Sequence, residues 1–262
     1  MIWDFSIRES ETNMIHSFLL IGQSNMAGRG YLHEAVEVDS THIKILRNGR
    51  WHKMYRPINP DRRYSGVSLG ERFAELYAKK YGVDVGLICC ADGGTRLEQW
   101  EAGSLLLDNA IYQSKLALRT STIAGVLWHQ GESDCSEELS KTYEERFIPI
   151  MGELREKLDL YDVPFLLGGL GAFLVDYEKA DLKNYNNVNE ALIKIANKTP
   201  MTGFVSANGL TSNPDNLHFS AKSLYEFGSR YFEVFEKHRN PNKAFTEKDI
   251  DGNDVRSAME LL

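Results

Sequence analysis

Very little in this sequence would staple the chain, carry it through a bilayer or hold it to nucleic acid. Its 262 residues include three cysteines, Cys89, Cys90 and Cys135. The number is odd and two are adjacent, so no disulfide framework is written into the spacing, and no C-x-x-C or His-rich pattern offers a metal site. We read all three as reduced thiols, with Cys89 and Cys90 as small packing residues. No apolar run approaches the ~20 residues that cross a bilayer, and the longest have the length of buried strands. Basic charge is in deficit, 30 Lys and Arg against 37 Asp and Glu for a formal net charge of −7, which disfavours a phosphate-neutralising surface. With 21 Gly, 7 Pro and 26% charged residues the composition is that of an ordinary globular chain, neither fibrous nor disordered. Ahead of residue 17 come Asp4, Glu9 and Glu11, unlike the basic and then apolar order of a secretory signal. The expectation is a cytoplasmic protein with no membrane or nucleic-acid partner.

What the sequence does contain is an alternation of short apolar runs and amphipathic stretches. Five runs stand out: His16 to Gly22, Val83 to Cys90, Thr122 to Trp128, Val163 to Leu170 and Thr202 to Ser206. Their apolarity is continuous, which suits strands covered on both faces and therefore parallel. Helical spacing appears between them. Ser68 and Glu71 form a capping-box pattern ahead of Leu69, Phe73, Leu76 and Tyr77. Further helices are predicted over Leu105 to Leu118, over Tyr143 to Leu158 with a kink at Pro149, around Val188 to Ile195, and from Ala221 to His238 behind a Ser220 cap. The pattern gives a three-layer α/β/α sandwich with a central, mainly parallel five-stranded sheet, in which right-handed crossovers place every strand C-terminus along one ligand-binding edge. Residues 1–239 are expected to form one domain, followed by a polar tail at 240–262. The stretch from Met26 to Gly66, with a weak strand-like piece at Ile43 to Leu46, is expected to cover the edge as active-site loops.

Candidate chemistry lies where the strands end. The first strand runs into Gly22-Gln23-Ser24-Asn25-Met26, which presents a serine hydroxyl that is either a nucleophile or a helix cap. Met26 stands where the G-x-S-x-G elbow needs its second glycine, so that elbow is absent. The second strand meets Asp92-Gly93-Gly94-Thr95, whose glycines let backbone N–H groups approach a ligand or simply make a turn. Trp128-His129-Gln130-Gly131-Glu132-Ser133-Asp134 packs many polar groups directly behind the third strand. Before the last helix, Asp215-Asn216-Leu217-His218 allows a carboxylate to reach back to an imidazole nitrogen. Serine, Asp-His pair and donor-rich loops on one edge satisfy the logic of an acyl-transfer triad. The segment Asp249 to Asp254 has the look of a calcium loop but lacks its full ligand order.

Taken together, Ile21-Gly22-Gln23-Ser24-Asn25-Met26-Ala27-Gly28, Gly93-Gly94-Thr95 followed by Trp100, the Trp128 to Asp134 block and Asp215 to His218 resemble carbohydrate esterase family six, the acetylxylan esterase and sialate O-acetylesterase branch of the SGNH hydrolases. The resemblance extends from about His16 to His238. It implies a flavodoxin-like fold, no cofactor or metal, and hydrolysis of acetyl esters on sugars. By position it makes Ser24 the nucleophile, His218 the general base and Asp215 its partner. The oxyanion donors would be the Ser24 amide, an amide of Gly93 or Gly94, and the side chain of Gln130. Glu132 would support the loop or sit near His218, and Trp100 and Trp128 would be either sugar platforms or core. The competing readings are a lipid or thioester hydrolase of the wider SGNH group and a catalytically silent carbohydrate-binding protein.

Overall fold

The computed structural model describes residues 14–245. The calcium-loop-like segment and the tail beyond residue 245 lie outside the described residues. The sheet has seven strands rather than five, in the order β3-β2-β4-β1-β5-β6-β7. They are β1 (Ile15–Gly22), β2 (Ile43–Arg47), β3 (Arg50–Lys53), β4 (Asp84–Cys89), β5 (Thr122–His129), β6 (Phe165–Gly168) and β7 (Thr202–Val205). All neighbours are parallel except the β2–β3 pair. The two additional strands lie within the stretch expected to be loop. β2 is the strand-like piece at Ile43 to Leu46. β3 carries no apolar pattern because an edge strand needs no buried face: Arg50, His52 and Lys53 are exposed and only Trp51 turns inward. Asn48 and Gly49, at φ 50° and 73°, make the tight turn that joins them.

The continuous apolarity of β1 reflects two cores. Leu19 and Ile21 join one cluster with Trp128, Leu107, Phe147 and Leu192. Phe18 and Leu20 face the other side, with Phe73, Phe227 and Tyr231, as alternation along a strand requires. The first layer is built by α3 (Leu105–Ala117), α5 (Tyr143–Leu158) and α6 (Tyr185–Lys198), the second by α2 (Leu69–Tyr81) and α7 (Ala221–His238). Two further helices are short, α1 (Ser24–Ala27) and α4 (Glu137–Lys141). The caps fall where the sequence placed them. The Ser68 hydroxyl accepts the Gly70 N–H while Glu71 accepts the Ser68 N–H, and Ser220 accepts the Ser223 N–H. α5 continues through Pro149 without ending there.

This topology fixes where a ligand can sit. The chain adds β2, β3 and β4 on one side of β1, then β5, β6 and β7 on the other. The connections therefore diverge at β1, and the crevice beyond its C-terminal end is the switch point of the sheet. Ser24 follows β1 by two residues.

Candidate active site

Gly22 ends β1 at φ 127°, and a Cβ there would lie 2.1 Å from the His129 carbonyl oxygen. Only glycine permits β1 and β5 to approach so closely. The chain then turns into α1, where Ser24 is 5% exposed. A cavity of about 620 Å³ opens over it, lined among others by Gln23, Ser24, Gly93, Gly94, Glu132 and His218.

His218 arrives from the loop before α7. Its Nε2 lies 3.0 Å from Ser24 Oγ and its Nδ1 lies 2.7 Å from Asp215 Oδ2. The other Asp215 oxygen accepts the N–H groups of Leu217 and His218, both at 3.0 Å. Partial burial works against charge on Asp215, but the His218 ring and these two amides outweigh it and hold the carboxyl down to about 2. Ser24, His218 and Asp215 thus form one continuous hydrogen-bonded chain, although 194 residues separate the serine from the histidine.

Asn25 ties the two segments together. Its Oδ1 accepts the Phe219 N–H at 3.0 Å and its Nδ2 donates to the Leu217 carbonyl at 3.2 Å, so it grips the backbone on both sides of His218. Nδ2 also donates to Glu132 Oε1, which in turn lies 3.2 Å from His129 Nε2. Burial penalises the Glu132 charge, yet His129 and the Asn25 bond hold its carboxyl below the ordinary value. Asn25 thus links Glu132 to the backbone on both sides of His218.

The expected oxyanion donors are placed unequally. The Gly93 N–H donates to Asp61 Oδ2 at 2.9 Å, and Asp61 is itself clamped by the Arg29 guanidinium at 2.6 and 3.0 Å. Gly94, at φ 81°, lines the cavity, and no acceptor among the described residues takes its N–H. Gln130 is fully buried and is not part of the cavity wall. Its amide donates to Asp134 Oδ2 at 2.7 Å and the Thr95 carbonyl at 3.0 Å, while its Oε1 accepts the Tyr143 hydroxyl at 3.0 Å. The side chain that does reach the cavity is Gln23. Its Oε1 faces Gln130 Nε2, the Gly131 N–H and the Ser133 N–H at 3.3, 3.4 and 3.3 Å. Two of those donors are backbone amides, which fixes which end of the Gln23 amide is oxygen. Its NH₂ has no acceptor among the described residues.

Trp100 and Trp128 are wholly buried and meet edge to face at 5.5 Å. They are core, and Trp100 Nε1 braces Thr95 Oγ1 at 3.1 Å. Cys90 and Cys135 are buried and Cys89 is partly so. Burial pushes the Cys89 thiol up to about 12, which suits packing and not nucleophilic chemistry. Among the described residues no group of three His, Cys, Asp or Glu side chains is arranged to hold a metal.

A mainly parallel sheet with a hydroxyl, an imidazole and a carboxylate in series at its switch point has the layout of an ester hydrolase on an SGNH-like fold. Residues 14–237 match the family described as carbohydrate esterase, sialic acid-specific acetylesterase, and the chain belongs to that family. It is 27% identical over 237 residues to a protein of Arabidopsis thaliana named "Probable carbohydrate esterase", covering 80% of this chain and 86% of the relative. A solved structure of an Arabidopsis thaliana protein superposes with a TM-score of 0.76 at 24% identity, covering 87% of this chain and all of that one. The structure of NanS gives a TM-score of 0.66 at 16% identity, covering 86% and 97% of the two chains. At these identities the structural matches speak for the fold.

Proposed function

We propose that this protein hydrolyses O-acetyl esters of sugars, such as acetylxylan fragments, acetylated sialic acid or related carbohydrates, through an acetyl-enzyme on Ser24. The observation that carries the reading is the Ser24–His218–Asp215 chain at the floor of the cavity. Ser24 Oγ attacks the acetyl carbonyl while His218 Nε2 takes its proton. Asp215, ionised far below neutral pH, holds Nδ1–H and stabilises the imidazolium. His218 then protonates the departing sugar oxygen, and a water activated by the same nitrogen releases acetate.

In our reading the tetrahedral oxyanion is met by the Ser24 amide, the Gly94 amide and the Gln23 NH₂. Gln23 thereby takes the role that the resemblance gives to Gln130, and of the two glycines it is Gly94 that donates, since the Gly93 N–H is engaged by Asp61. Gln130 aims Gln23 instead of touching substrate, and Asn25 positions His218 under the hold of Glu132. The cavity wall mixes Arg96, Ser133, Ser136, Glu137 and Asp181 with Tyr64, Tyr177, Leu182 and Leu217, a lining that offers a sugar both hydrogen bonds and faces for its C–H groups.

The test is acetate release from acetylated xylo-oligosaccharides, O-acetyl sialic acid and simple acetyl esters by the wild-type protein and Ser24→Ala. Release by the wild type that vanishes in a folded Ser24→Ala protein supports the reading. Equal release by both contradicts it.

A further inference from the structure

With Trp100 and Trp128 in the core, the aromatic rings that reach the cavity are Tyr64 and Tyr177. Tyr64 is 63% exposed, but the loop that carries it is held firmly. Asn59 exchanges hydrogen bonds with the Ala91 backbone in both directions, at 3.0 and 3.1 Å. Asp61 takes the Gly93 amide and the Arg29 guanidinium, Arg62 binds Asp92 at 2.6 Å, and Ser65 donates to Asp61 at 2.7 Å. The Arg29 guanidinium carbon lies 5.2 Å from the centre of the Tyr64 ring. Because Arg29 is itself fixed by Asp61, it backs the ring.

A large ring kept in water on a rigid loop, backed by a cation and open to a cavity, leaves an apolar face unburied. A flat partner with C–H groups on one face and hydroxyls at its rim would cover that face while its hydroxyls meet the polar wall around Ser133 and Ser136. A pyranose has this form. An alkyl chain could cover the ring but brings no hydroxyls to Ser133 and Ser136.

We propose that Tyr64 is the stacking platform for the sugar that leaves from the acetyl ester. This rests on the acetylesterase reading above and adds to it how the alcohol half of the substrate is held. The contact lies on the leaving group, remote from the carbonyl, and is made alike in the ground state and the transition state. It therefore lowers KM for sugar esters and contributes little to kcat.

The experiment compares two probes, a methyl pyranoside carrying one O-acetyl group and ethyl acetate, which has no ring to stack. Tyr64→Ala is expected to raise KM for the glycoside so that kcat/KM falls by about three- to tenfold, the scale of one aromatic contact. Its kcat/KM for ethyl acetate should fall by much less. Tyr64→Trp keeps a flat face and should keep the preference for the glycoside. The exposed Tyr112, on α3 and outside the cavity wall, serves as control, and Tyr112→Ala should change neither ratio. Equal losses on both probes, or no loss on the glycoside, would overturn the platform while leaving the esterase reading standing. Failure of the wild type to hydrolyse either probe would remove both.

Discussion

Around Ser24 the roles rest on individual hydrogen bonds, and each can be removed singly. Gln23→Glu keeps an oxygen for the Gly131 and Ser133 amides and replaces the donor with an anionic oxygen. Its kcat is expected to fall about a hundred- to a thousandfold, as for loss of an oxyanion donor, with melting temperature near that of the wild type. Gln130→Ala should behave in the opposite way. It takes the buried amide away from Asp134 Oδ2 and the Thr95 carbonyl, a destabilisation of about 1–3 kcal/mol, while much of kcat survives at low temperature. If Gln130→Ala is fully stable but nearly inactive, the two assignments must be exchanged. Asn25→Ala should lower kcat by about ten- to a hundredfold with little change in KM, because the base is displaced and substrate binding is not. An unchanged kcat would show that His218 keeps its place without Asn25. That the serine, aspartate and histidine would come together could be expected from the sequence because they sit in short motifs, one directly behind β1 and one ahead of α7. The parts we propose for Gln23 and Asn25 could not, although both flank Ser24. Their meaning depends on partners such as Ser133 and Phe219, 110 and 194 residues away.

At the level of elements, close approach at the end of β1 matters most. Gly22→Ala would put a methyl group 2.1 Å from the His129 oxygen at a φ of 127°. We expect a loss of about 3 kcal/mol or more, or failure to fold, measured by chemical denaturation. Tolerance of that change would mean that β1 and β5 do not meet as described. Strands covered on both faces and helices with caps were legible because burial and capping leave local patterns in β1, β4, β5, α2 and α7. The hairpin strand β3 was not. Its exposed charges satisfy an edge, and the pairing that makes it a strand comes from β2 across the Asn48-Gly49 turn. The same blindness hid Asp61 and Tyr64, whose loop is defined by contacts with the segment after β4 and with Arg29.

For the molecule as a whole, buried ionisable groups set the acid limit of stability. Burial lowers His16 from 6.5 to about 4, so the unfolded chain binds its proton first. The stabilisation this gives is full above pH 6.5 and is lost as pH falls from there toward 4. Asp61 and Asp215 are held below the usual carboxylate range, Asp61 by Arg29 against the opposing effect of burial. Their contribution is present above about pH 4 and is lost below it. Glu71, raised by burial, works in the opposite sense. Melting temperature should therefore decline in two stages on acidification, and His16→Asn should flatten the first. A wild-type profile that is level from pH 6.5 to 4 would argue against a buried neutral His16. Among the described residues no helix is long and apolar enough to cross a membrane.

The central claim, acyl transfer through Ser24, is tested most directly by mass. Incubation with a p-nitrophenyl organophosphonate should add one phosphonyl group per chain, mapped by peptide sequencing to Ser24. It should abolish acetate release from acetylated sugars in the same proportion, and Ser24→Ala should take up no label. Labelling at another residue, or a Ser24→Ala protein that still releases acetate at the wild-type rate, would contradict the account.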